Sequence, residues 1–128
     1  MEINISRQTD FLEVVVSGQF NNDEAGGQFS MIIATCVQFR LSRCLVDFSG
    51  MTGQLHAVQR IFIGHSGIES FQKQSTILNL PFKIAFIGRE QYVSDYTPAA
   101  DLMRQIGWDV LVTADHEKAY NWIKTSDH

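Results

Sequence analysis

Cysteine is scarce in this chain: Cys36 and Cys44 are the only two. They are not spaced as CxxC, and no Cys/His grouping with zinc-ligand spacing accompanies them, which argues against a disulfide framework, a redox motif and a structural zinc site. Cys36 falls in an apolar helical pattern and Cys44 in a strand, so the expectation is two buried free thiols in a reducing, cytoplasmic setting. The histidines His56, His65, His116 and His128 are too dispersed to suggest a metal centre, and no cofactor is expected. Long apolar runs are missing too. Nothing approaches the length of a membrane-spanning helix, and Met1-Glu2-Ile3-Asn4 does not open a signal peptide. Basic residues are few and scattered from Arg7 to Lys124; 10 Lys and Arg against 14 Asp and Glu leave a net charge of -4. No patch is basic enough to neutralise phosphates, which argues against nucleic acid as a partner, and no basic helix suits a membrane surface.

What is present reads as one soluble globular domain over residues 1–128, since 45% of residues are hydrophobic and 19% charged, with no internal repeat or linker. Ile3 and Ile5 alternate with polar residues, Gln8-Thr9-Asp10 makes a turn, and Phe11 to Ser17 forms a second strand with Leu12, Val14 and Val16 on one face. So brief a connection predicts an antiparallel hairpin, with Gly18 ending the second strand. Asn21 to Glu24 supplies an N-cap and acids for a helix carrying Ala25, Phe29, Ile32, Ile33, Cys36 and Val37. Cys44 to Phe48 is a buried strand. Leu55, Val58, Ile61 and Phe62 open a helix reaching towards Phe71, interrupted at Gly64 and Gly67. Phe82 to Ile87 is the next strand, closed by Gly88 and followed by a polar loop over Arg89 to Tyr96. Thr97-Pro98 then starts a helix with Leu102, Met103 and Ile106, ending at Gly107. Trp108 to Thr113 is the last strand, and Asp115 caps a final helix with Ala119, Trp122 and Ile123. The order ββαβαβαβα makes this an α/β fold with right-handed crossovers and a mixed, mostly parallel sheet.

The segment Cys44-Leu45-Val46-Asp47-Phe48-Ser49-Gly50-Met51-Thr52-Gly53 carries the most information: an apolar run surfaces into polar and glycine residues and feeds a helix. In open α/β sheets, ligands and partners meet the protein at such strand ends. Together with Gly18-Gln19-Phe20 before the first helix, and with the order of elements, this segment resembles the STAS-domain fold, and in particular the SpoIIAA-like proteins named for bacterial anti-sigma factor antagonists. The resemblance spans almost the whole chain. It implies helices mainly on one sheet face and a non-enzymatic regulatory role. Antagonists of that kind carry a phosphorylatable Ser or Thr preceded by Asp shortly after this turn. Here Leu55 and His56 fall at that pair, so the resemblance is to the branch lacking that phosphorylation switch.

The candidate site gathers around the same turn: Asp47, Ser49, Thr52, Gly53, His56 and Arg60. His56 and Arg60, four apart, share one helix face, and with the backbone of Gly50 and Gly53 the helix start offers a place for phosphate or carboxylate. The plainer alternative is that Asp47 and Ser49 satisfy loop amides. Arg89 and Tyr92 follow the next strand and are residue types enriched at interface hot spots, the alternative being an exposed loop with a local Arg–Glu pair. Gly64-His65-Ser66-Gly67 lacks the GxSxG spacing of a hydrolase elbow. Phe62, Ile63, Ile68, Phe71, Ile77 and Leu80 complete the core, form a homodimer contact, or roof an apolar pocket. The expected function is therefore a non-enzymatic regulatory or protein-binding module. The alternative is a carrier or sensor of a small apolar or anionic ligand.

Overall fold

The computed structural model describes residues 2–19, 31–52, 82–105 and 107–125. Among them, β1 (Glu2–Arg7), β2 (Leu12–Gln19), β3 (Arg43–Thr52), β4 (Lys83–Ile87) and β5 (Asp109–Thr113) form a five-stranded sheet in which spatial order equals chain order. β1 and β2 pair antiparallel, and every later neighbour pairs parallel. The described helices are α1 (residues 31–38), α2 (Glu90–Gln105) and α3 (His116–Lys124). The mixed, mostly parallel α/β architecture expected from the alternation of elements is the one observed.

Strand periodicity divides the core in two. Leu12, Val14 and Val16 of β2, Cys44, Val46 and Phe48 of β3, and Ile84 and Phe86 of β4 turn to one face. There they meet Ile32, Ile33 and Cys36 of α1 and Ala100 and Met103 of α2. The intervening residues Leu45, Ala85 and Ile87 turn to the other face and meet Ala119 and Ile123 of α3. β4 is buried at all its positions because helices cover both sides of it. Of the described helices, α1 and α2 thus share one face and α3 lies on the other. Cys36 and Cys44 are free and buried. The Cys44 thiol is pushed up well above its ordinary pKa by a hydrogen bond to Cys36, by burial and by the charge of Cys36, which keeps it unreactive.

Helix ends follow local chemistry. Asp115 accepts from the Lys118 backbone N–H at 3.1 Å, the expected N-cap of α3. Gly107 ends α2 at φ +94°; its N–H bonds to Arg104 O at 3.0 Å and the Trp108 N–H to Met103 O at 3.1 Å, a Schellman closure. α1 closes the same way through Arg40, which adopts φ +55° without being glycine. At the other end of α3, Lys83 Nζ donates to Thr125 O at 2.8 Å and lies over the Trp122 ring, while Arg43 Nη1 donates to Ile123 O at 3.2 Å. Cations at a helix C-terminus complement its dipole, so α3 is held at its far end by the first residues of β3 and β4.

Two boundaries differ from the sequence reading. β3 does not stop at Phe48. It runs to Thr52 because β2 continues past Gly18 (φ +88°) to Gln19 and supplies a partner for it. Between Val15↔Asp47 and Ser17↔Gly50 the β3 chain advances one residue more than β2, a bulge at Phe48-Ser49. Secondly, α2 begins at Glu90, so residues 90–96 are helical and Pro98 lies inside the helix. Proline forfeits its own N–H bond, at a cost of about 3 kcal/mol in a helix interior. That cost is offset by packing on both sides of it, through Tyr92 before and Ala100 and Met103 after, against the larger core.

Candidate functional site

Asp47 sits where β3 reaches the carboxyl edge of the sheet, on the face covered by α3. It is 9% exposed, so its carboxylate needs partners within the protein. Oδ1 accepts from the Ser49 backbone N–H at 2.9 Å and from Ser49 Oγ at 2.6 Å. Oδ2 lies 3.1 Å from Nε2 of His116, the first residue of α3. Ser49 Oγ is 3.2 Å from that same Nε2. The Ser49 carbonyl accepts from Arg89 Nε at 3.1 Å. Ser49 is thus a node joining β3, the start of α3 and the residue that precedes α2. The bulge at Phe48-Ser49 turns its side chain back towards Asp47 and His116.

The proton arrangement follows from these contacts. Ser49 donates its hydroxyl proton to Asp47, so Nε2 is the donor in both of its contacts, and the imidazole carries a proton there. In a Ser–His–Asp relay the hydroxyl and the carboxylate engage opposite ring nitrogens. Here both meet Nε2, and the serine proton goes to the carboxylate. The cluster thus ties the strand end to α3 and differs from the relay arrangement.

A second polar pair flanks it. Tyr120 of α3 donates to Glu13 of β2. Burial first, then the hydrogen bond to Glu13 and the charges of Glu13 and Asp47, push the Tyr120 phenol up to about 12. The folded state therefore holds this proton more tightly than the unfolded chain, whose tyrosine ionises near pH 10. Stability from this group is fully present below pH 10 and is lost as pH rises towards about 12. Absorbance titration of tyrosinate, compared with Tyr120→Phe, is expected to show one late-titrating phenol, and Glu13→Gln is expected to bring it back towards the ordinary range. An unchanged late phenol in Glu13→Gln would leave burial and the charge of Asp47 as the causes.

Beside the node lies an open cleft of about 750 Å³ between the start of α2 (Glu90, Val93, Thr97) and the end of β5 with its turn (Val112, Thr113, Asp115). Its walls begin one residue beyond Arg89 and end one residue before His116. Its described lining holds Glu90 and Asp115 and, among the described residues, no lysine or arginine, which suits it poorly to an anionic ligand.

The structure therefore brings together Asp47, Ser49 and Arg89 of the sequence-derived site. Asp47 accepts from the Ser49 backbone N–H, the kind of amide contact the plainer alternative describes, although Ser49 lies in β3 and not in a loop. Arg89 is bonded to Ser49 O across to the neighbouring strand, and no Arg89–Glu90 pair forms. Thr52, expected in a loop, ends β3 opposite Gln19. Tyr92, expected beside Arg89 in a loop, is in the first turn of α2 and packs against the larger core. Gly53, His56 and Arg60 lie outside the described residues, as do the broken-helix residues Phe62 to Leu80. The spacing of the histidines along the chain gives no sign of His116. The available signal was its position directly after the Asp115 cap, which puts it at the carboxyl edge of the sheet with Asp47.

Among the described residues no helix is long and apolar enough to cross a membrane, and no group of three or more His, Cys, Asp or Glu is placed to hold a metal ion. Scans against protein-family models and against curated proteins give no match. Solved structures do match. One is an anti-sigma factor antagonist from Mycobacterium paratuberculosis, at TM-score 0.59 and 12% identity over 97% of this chain and 94% of that one. Another is an uncharacterized protein of the DUF3478 family with a SpoIIAA-like fold from Shewanella loihica PV-4, at TM-score 0.54 and 16% identity over 95% of this chain and 92% of that one. With a hairpin leading into a parallel sheet, and a polar node where β3 meets α3, the chain has the STAS, or SpoIIAA-like, fold.

Proposed function

We propose that this chain is a non-enzymatic regulatory module that binds another protein through the surface at the carboxyl ends of β3 and β4. The observation that carries the reading is the node at Ser49: Asp47, His116 and Arg89 come from separate elements and converge on one residue at the sheet edge where this architecture presents its surface to partners. The bracing arrangement of His116 and the anti-sigma factor antagonist among the structural relatives support a binding role over catalysis. The proposed surface comprises Asp47, Ser49, Arg89 and His116, with Thr52, Gly53, His56 and Arg60 following in the chain and Tyr92 beside Arg89. The same reading takes residues 1–128 as one domain, cytoplasmic and able to form a homodimer.

The test is quantitative affinity capture from the source cells with wild type and with the double variant Arg89→Ala, His116→Ala, both first shown to be folded by denaturant melts. A protein retained by wild type and lost by the variant is the expected result. Equal retention by both would remove this surface from the reading. A small molecule carried through purification, seen by native mass spectrometry with no protein retained, would replace the reading with that of a ligand carrier.

A further inference from the structure

Arg89 is held at two points. Its backbone follows Gly88, whose N–H bonds to Thr113 O at 3.1 Å, so the chain is fixed as it leaves β4. Its side chain is fixed by Nε on Ser49 O at 3.1 Å, and Ser49 is itself fixed by Asp47. Two other arginines spend their terminal nitrogens internally, Arg43 on carbonyls of α3 and Arg104 on Asp101 and on Val110 O, and Arg7 lies over the Phe39 ring. Arg89 spends only Nε and is exposed; its terminal nitrogens bond to no described residue. Two described carboxylates of the same edge do not claim them. Asp47 has both oxygens engaged by Ser49 and His116, and Glu90 lines the cleft on the side of β5.

A guanidinium anchored through Nε with its fork open is preset for a planar, two-oxygen acceptor. The anchoring contact also removes much of the ordering cost that a free arginine side chain bears on binding. We propose that Arg89 receives a carboxylate of the protein partner, an Asp or Glu side chain, through its two terminal nitrogens. This rests on the reading that the surface binds protein, and names the chemistry of the contact. A carboxylate is favoured over a phosphate by the surroundings. Asp47 and the cleft residues Glu90 and Asp115 make this edge acidic, so a singly charged group adds less like charge to it than a phosphate carrying nearly two.

The probe is a displayed library of random peptides selected on immobilised wild-type protein. Asp and Glu are expected to be enriched over the input, with the enrichment lost on Arg89→Ala and mostly lost on Arg89→Lys, whose ammonium cannot bond Ser49 O and present a fork at once. For a selected peptide, changing its acidic residue to the amide is expected to weaken binding by about tenfold on wild type and hardly at all on Arg89→Ala. Three results would overturn the proposal: an equal loss on both proteins, tighter binding of the phosphoserine version than of the carboxylate, or selected peptides with no acidic preference. If those peptides still lose binding on Ser49→Ala or His116→Ala, the surface stands and only the carboxylate contact falls. If no peptide engages the surface at all, both fall.

Discussion

Replacing Ile84 with alanine is expected to lower the free energy of unfolding by about 2–5 kcal/mol, the range for deleting a buried branched side chain whose surroundings relax only in part. Ile84 is 1% exposed in the middle of β4, paired with Cys44 on one side and Val110 on the other, and its side chain belongs to the larger core. Strands on both flanks and helices on both faces leave little room for collapse into the space vacated. Arg89→Ala should shift stability by no more than about 0.5 kcal/mol, because the side chain is exposed and its single hydrogen bond can be replaced by water. Urea denaturation of the two variants gives the contrast. A change below about 1 kcal/mol for Ile84→Ala would mean that β4 is not the packed centre of the sheet.

Asp47→Ala is expected to cost about 2–4 kcal/mol, and by a different route. The substitution leaves the Ser49 N–H, the Ser49 hydroxyl and His116 Nε2 without their acceptor at a part-buried site, where water replaces only some of these bonds. Asp47→Asn should cost less, since its amide oxygen still accepts from Ser49, while its NH2 faces the protonated Nε2 and forces a change of tautomer. The loss should also be non-additive with His116→Ala: once Asp47 is gone, removing His116 should add little. A double-mutant cycle measures this coupling, and strictly additive losses would show that the two side chains do not act as a unit. Because the contact ties α3 to the end of β3, Asp47→Ala should also raise hydrogen exchange at the first turn of α3 more than at its clamped far end.

Much of the fold was legible in the sequence where one residue decides the local outcome. Leu12, Val14 and Val16 alternate with half-buried neighbours because a strand has period two, and they are buried as that period requires. Asp115 and Gly107 mark helix ends through their own side-chain or backbone chemistry. Asp47 and Ser49, two apart in the chain, were legible as residues that satisfy nearby amides, and the bonds between them are local ones.

The tertiary structure decided the rest, and the reason in each case is a partner distant in the chain. β3 continues through Ser49 and Thr52 because β2 extends beside it, which no window around residue 49 can reveal. α2 begins at Glu90 and carries Pro98 in its interior because packing against β5 and the larger core outweighs a local signal for a later start. His116 joins Asp47 across 69 residues of sequence, and Arg89 joins Ser49 across 40, because a parallel sheet brings successive strand ends to one edge. By itself the sequence determined which residues are buried in strands, where helices α2 and α3 end or begin by capping, and that the carboxyl edge of the sheet carries polar residues. Which of those residues touch was decided only when the crossovers closed, since hydrogen bonds between side chains depend on distances that the chain sets by folding and not by order.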